Sequence, residues 1–95
     1  MKTIKRIKVK NMLSPSGNNI PNQFIIYTDD GVYFQSYSTI IAYENHKEGK
    51  IYLDSNSWDY SVTTGKYRNM FLHEDKKETE RKIKEGIYKL VDLNS

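Results

Sequence analysis

The sequence contains no cysteine, which excludes disulfides, thiolate nucleophiles and zinc–thiolate centres, and is compatible with a reducing compartment. It has only two prolines, Pro15 and Pro21, and both fall in one stretch near the N-terminus. Long apolar runs are missing too. No segment approaches the roughly 20 residues that a membrane-spanning helix needs, and the cations of the first ten residues are followed by no apolar run of the signal-peptide kind. A soluble intracellular chain with no membrane partner is therefore expected.

Rings and charge are what the chain does have. Of its 95 residues 37% are hydrophobic and 13% aromatic, with eight tyrosines, so one domain over residues 1–95 with a small, ring-rich core is expected. The formal net charge of +3 is mild but unevenly spread. Lys2, Lys5, Arg6, Lys8 and Lys10 crowd the N-terminus without acidic neighbours, whereas Lys76, Lys77, Arg81, Lys82, Lys84 and Lys89 are interleaved with Glu78, Glu80 and Glu85. Only the first group is an unbalanced positive patch.

Alternation marks the strands. Ile7 and Val9 alternate with Arg6, Lys8 and Lys10, which predicts a first strand over residues 3–10 with one cationic face. Residues 11–22 collect asparagine, serine, glycine and both prolines, and predict a long polar loop. Asp30-Gly31, between two apolar segments, predicts a two-residue type I′ hairpin that pairs Tyr27 with Phe34 and Phe24 with Tyr37. That register puts Ile25, Tyr27, Val32 and Phe34 on one face and Phe24, Ile26, Tyr33 and Tyr37 on the other. Both faces are apolar, so either both are covered, as expected here, or the second aromatic face binds a partner.

Further strands are predicted over residues 39–44, 50–54, 58–62 and 87–93. A helix is predicted over residues 64–73 behind a Thr63 cap, and a second from Asp75, opened by the Asp75–Glu78 capping pair and closed at Gly86. The expected fold class is α+β: a curved antiparallel sheet of about five to seven strands, open or partly closed into a small barrel, with two short helices in the C-terminal half.

Between the alternation of Trp58, Tyr60 and Val62 and the helical spacing of Tyr67, Met70 and Phe71 lie Ser61, Thr63, Thr64 and Gly65. A helix start leaves N–H groups unpaired, so these residues, with Lys66 and Arg68, have the composition of a phosphate or carboxylate cradle. Capping threonines, a turn relieved at Gly65 and solvated cations account for the same residues. The first glycine and the loop length of a P-loop are absent, so nucleotide hydrolysis is not expected.

The N-terminal cations could track a nucleic-acid backbone while Tyr33, Tyr37, Tyr43 or Tyr52 stack on unpaired bases; a lysine-bearing edge strand also guards against sheet-to-sheet aggregation. His46 and His73 stand among carboxylates in charged turns, where solvation is the ordinary outcome, and no metal or cofactor is expected. No nucleophile–base pair or facing carboxylate pair assembles around Asp59, the nearest candidate, so no catalysis is expected. Trp58 reads as core.

The pattern Ser36-Tyr37-x-Thr39-x-Ile41-Ala42, followed by Tyr60-Ser61-x-Thr63-Thr64-x-Lys66-Tyr67-x-Asn69-x-Phe71-Leu72, resembles small uncharacterised proteins of tailed bacteriophages and gut-bacterial mobile elements over about residues 22–93. The resemblance implies a phage-type accessory protein in the cytoplasm of an infected bacterial cell, or a small virion component, and assigns no reaction. Two functions follow. One is a non-enzymatic nucleic-acid-binding module using Lys5, Arg6, Lys8, Lys10, Lys66 and Arg68, with Ser61, Thr63, Thr64 and Gly65 as the anion cradle. The other is a protein-binding accessory factor, such as an inhibitor of a host or defence protein, or a virion part, using a face that includes Phe24, Tyr33 and Tyr37. The oligomeric state is left open.

Overall fold

Alternating residues form strands from Ile7 onward in the computed structural model, which describes residues 6–95. Strands β1 (Ile7–Leu13), β2 (Asn19–Thr28), β3 (Gly31–Ser36), β4 (Thr39–Asn45) and β5 (Lys50–Asp54) follow one another as antiparallel neighbours. Helices α1 (Val62–Leu72) and α2 (Lys76–Lys84) then carry the chain back, so that β6 (Tyr88–Val91) pairs with β5 in parallel. A parallel pair needs a crossover of a dozen residues or more, and the two helices supply it. The result is α+β, as expected: one curved, unclosed six-stranded sheet, mostly antiparallel, in the order β1-β2-β3-β4-β5-β6. Neither helix is long and apolar enough to cross a membrane.

Register decides what each face carries. Lys10, Ile25, Phe34, Ala42 and Leu53 are successive cross-strand partners on one face. Both helices pack there: the rings of Phe71 and Phe34 lie 5.7 Å apart, and Tyr67, Met70, Leu72 and Ile83 surround the buried Phe34, Ile41, Leu53 and Tyr88. A register shift beside Phe34 gives β4 one extra residue, so the consecutive Ile41 and Ala42 are both fully buried where strict alternation would expose one.

The other face carries Val9, Ile26, Tyr33, Tyr43, Tyr52 and Lys89, again as successive partners, and none of them belongs to the core. The expectation that both faces are covered is therefore corrected. Both helices lie within the single β5–β6 crossover, and one crossover passes over one side of a sheet.

Three other expectations need correction. Residues 11–22 are not a long polar loop: the strands extend to Leu13 and resume at Asn19, and residues 14–18 form a turn closed by Ser14 N–H to Asn18 O (2.8 Å) and Gly17 N–H to Ser14 O (2.9 Å). Met12 and Ile20 are buried and anchor this hairpin to the core. Pro21 is tolerated because the β1–β2 register breaks opposite it, where no ladder donor is required.

The hairpin at Asp30-Gly31 has Tyr27 opposite Val32 and Phe24 opposite Gln35. The slip from the expected register is two residues, an even number, so the predicted faces survive. Tyr37 does not stay with them; it lies beyond β3 at φ 56 and is exposed. Nor is the turn type I′, since neither Asp30 nor Gly31 has a positive φ. Thr28 closes it instead, its Oγ1 donating to Gly31 O (2.9 Å) and accepting from Gly31 N–H (3.1 Å). Gly31 is needed for close approach, because a Cβ there would sit 2.0 Å from Glu44 O.

Residues 58–62 are not a strand. Trp58 N–H donates to Asp54 O (3.0 Å), folding the chain into turns, and Val62 stands 92% exposed in the first turn of α1. The Asp54 carboxylate holds this corner by accepting from Ser57 Oγ and from Leu93 N–H (2.9 Å). Burial pushes that carboxyl up, but these hydrogen bonds outweigh it and leave it below the ordinary aspartate value.

Candidate functional site

At the helix junction that resembles an anion cradle, most of the polar groups are engaged within the protein itself. Ser61, not Thr63, caps α1, its Oγ accepting from Thr64 N–H (3.1 Å). Thr64 is buried, with its Oγ1 3.1 Å from Ser36 Oγ on β3, and this pair locks the start of the helix to the sheet. Gly65 is buried beneath the Arg68 guanidinium, whose Nη2 would lie 3.6 Å from a Cβ at that position. Of the four cradle residues only Thr63 remains exposed and uncommitted.

Arg68 is engaged within the protein as well. It is 1% exposed, donating through Nη1 to Trp58 O (2.7 Å) and Asp59 Oδ1 (3.3 Å), and through Nη2 to Asn69 Oδ1 (2.9 Å). Its guanidinium carbon lies 5.2 Å from the Trp58 ring. Asp59 also pairs with Lys76 (2.7 Å) at the start of α2. Burial raises the Asp59 carboxyl, yet the hydrogen bonds from Lys76 and Arg68 prevail and hold it below its ordinary value. The group therefore fastens the 55–60 turns and both helix starts together. An arginine one turn beyond a glycine reads in sequence as a solvated cation; only the fold shows that it turns back over Gly65 into buried hydrogen bonds with the 58–59 turn.

The remaining cations do not converge. Lys5 lies outside the described residues. Arg6, Lys8 and Lys10 are exposed, and pairing of Lys8 with Tyr27 and Lys10 with Ile25 puts those two on the helix-bearing face. Lys10 lines a cleft of about 430 Å³ with Met70, Phe71 and His73 at the C-terminal end of α1. Lys66 lines a separate cleft of about 630 Å³ with Ser61, Asp59 and Lys76 at the other end, its Nζ 5.4 Å from the Tyr67 ring. The two clefts share no residue.

What the sheet does gather is aromatic. Tyr33 and Tyr43 stack at 4.1 Å between ring centroids and 14° between planes, and Tyr43 and Tyr52 follow at 6.3 Å and 19°. Neighbouring strands lie about 4.8 Å apart, so rings stacked from strand to strand turn their faces toward one another and their edges outward. Such rings offer apolar edges and hydroxyls rather than open π-faces for bases. Phe24, Ile26 and Val9 continue the apolar surface toward β1, while Lys50 and Lys89 share the face at the β5 and β6 side.

The Tyr52 hydroxyl donates to Glu48 Oε1 (2.7 Å), which raises its pKa. Burial beside Tyr33 and Asp30 raises that of Tyr43. Both hydroxyls stay protonated as donors at neutral pH. Phe24 and Tyr33 were expected on this face; placing Tyr43 and Tyr52 there required the β4 and β5 register, which no local pattern carries.

A model of a family of unknown function, DUF8033, matches residues 7–86, and the chain belongs to that family. No curated protein and no solved structure matches it.

Proposed function

We propose that the chain is a non-enzymatic, phage-type accessory protein that binds a protein partner on the open sheet face, acting in the bacterial cytoplasm as an inhibitor of a host or defence protein or as a virion component. The observation that carries this reading is the Tyr33–Tyr43–Tyr52 ladder on the face opposite both helices. Tyrosine joins an apolar body to a hydrogen-bonding tip, and such rings dominate the energetics of protein interfaces. With Lys50 and Lys89 on the same face, the complementary surface is apolar with carboxylates along one margin. Nucleic-acid binding is the weaker alternative: Arg68 is spent on internal hydrogen bonds, and Lys10 and Lys66 line two clefts that share no residue.

Two measurements separate the alternatives. Tagged protein from infected cells should retain a partner that is lost with Tyr43→Ser or Tyr52→Ser and kept with Lys66→Glu, all three variants being folded by circular dichroism. Polarisation with labelled DNA and RNA at two salt concentrations should show no strong salt-dependent binding. Salt-dependent binding abolished by Lys8→Glu or Lys66→Glu would overturn the proposal.

A further inference from the structure

The two edges of the sheet are treated differently. At one edge β6 is four residues long, and the chain after it is tied down: Asn94 clasps Ile40 through both backbone groups, accepting from its N–H (2.7 Å) and donating to its carbonyl (2.9 Å). At the other edge β1 has β2 as its one neighbour among the described residues, and the stretch Ile7–Asn11 pairs regularly along it. Its outward backbone groups therefore meet no strand of the described residues. Ile7 and Val9, 69% and 56% exposed, point to the aromatic face, and Lys8 and Lys10 to the opposite one.

That alternation selects the occupant. Two copies of β1 pairing antiparallel about Val9 would set Lys8 against Lys10, and pairing in parallel would set each lysine beside its twin; like charges directly opposite destabilise a ladder. A one-residue slip relieves the repulsion only by moving lysines among apolar side chains. An extended strand alternating acidic and apolar residues meets neither problem. Its carboxylates would lie beside Lys8 and Lys10 and its apolar side chains beside Ile7 and Val9, widening the aromatic face by one strand. We infer that β1 accepts such a segment of a partner protein by strand addition. This rests on the reading that the partner is a protein, and adds the mode and chemistry of its docking.

The test titrates the isotope-labelled full chain with three synthetic peptides: alternating Glu and Val, alternating Lys and Val, and Glu and Val in two blocks. The alternating acidic peptide should shift the backbone resonances of Ile7–Asn11 and bind about tenfold or more tighter than the others. The double variant Lys8→Glu/Lys10→Glu should reverse the preference toward the lysine peptide. Absence of binding, equal binding of the block peptide, shifts away from β1, or dimerisation of the chain through β1 would each overturn the inference. Partner loss in the tyrosine variants alongside silent peptides would leave the face reading standing without strand addition; a β1 response alongside tyrosine variants that keep the partner would do the reverse.

Discussion

The two faces of this sheet carry similar apolar material and use it in opposite ways. On one, Phe34, Leu53 and Ala42 are fully buried under the helices, and of the polar groups that descend with them Ser36 and Thr64 share a hydrogen bond while Arg68 donates through both Nη atoms. On the other, Tyr33, Tyr43 and Tyr52 are half-buried only because they pack on each other. Covered aromatics stabilise the fold; an uncovered ladder leaves binding energy available to whatever covers it. Cations follow the same division, for Arg68 has become structural while Lys50 and Lys89 stand exposed beside the rings.

The comparison can be broken most severely from the covered side. Phe34→Ala should cost about 4 kcal/mol in denaturant unfolding, since the ring is fully buried against Phe71 and a cavity would remain. Arg68→Ala should cost roughly 3 kcal/mol, because Asp59 and the Trp58 carbonyl lose a buried donor. Either value near zero would mean that α1 does not lie on the sheet as described. Tyr43→Ser, on the open face, should cost only about 1–2 kcal/mol in the same assay, the loss of stacking and partial burial, while removing the partner.

A smaller effect sharpens the account of how the helices are held. Glu74 accepts from Lys82 Nζ (2.6 Å), Tyr88 Oη (2.9 Å) and Thr79 Oγ1 (2.6 Å), joining the α1–α2 link to α2 and β6. Burial raises its carboxyl, but these donors outweigh burial and leave it below the ordinary value of 4.5. The contribution is thus complete above that value and is lost as pH falls through the depressed folded pKa. In thermal melts the advantage of the native chain over Glu74→Gln should shrink on acidification below about pH 4.5; a constant difference would contradict the network.

Local chemistry carried much of this architecture. The Asp75–Glu78 cap, the left-handed turn at Gly86 and the parity of the β2–β3 hairpin are set within a few residues, and each was legible in the sequence. The candidate site was legible only in part. Phe24 and Tyr33 could be placed on one face by alternation, but Tyr43 and Tyr52 join them through long-range register. Tyr37 leaves the face because the chain turns one residue earlier than a continuous strand would. Met12 and Ile20 were hidden in a polar tract, and the burial of Thr64 against Ser36 and the tie from Leu93 to Asp54 that holds the turns under Arg68 are contacts no local window contains.

The most direct test replaces Tyr52 or Lys66 with photoactivatable benzoylphenylalanine and irradiates infected cells. The account predicts a discrete protein adduct from position 52 and none from position 66; an adduct from position 66 alone, or crosslinks to nucleic acid at either position, would contradict it.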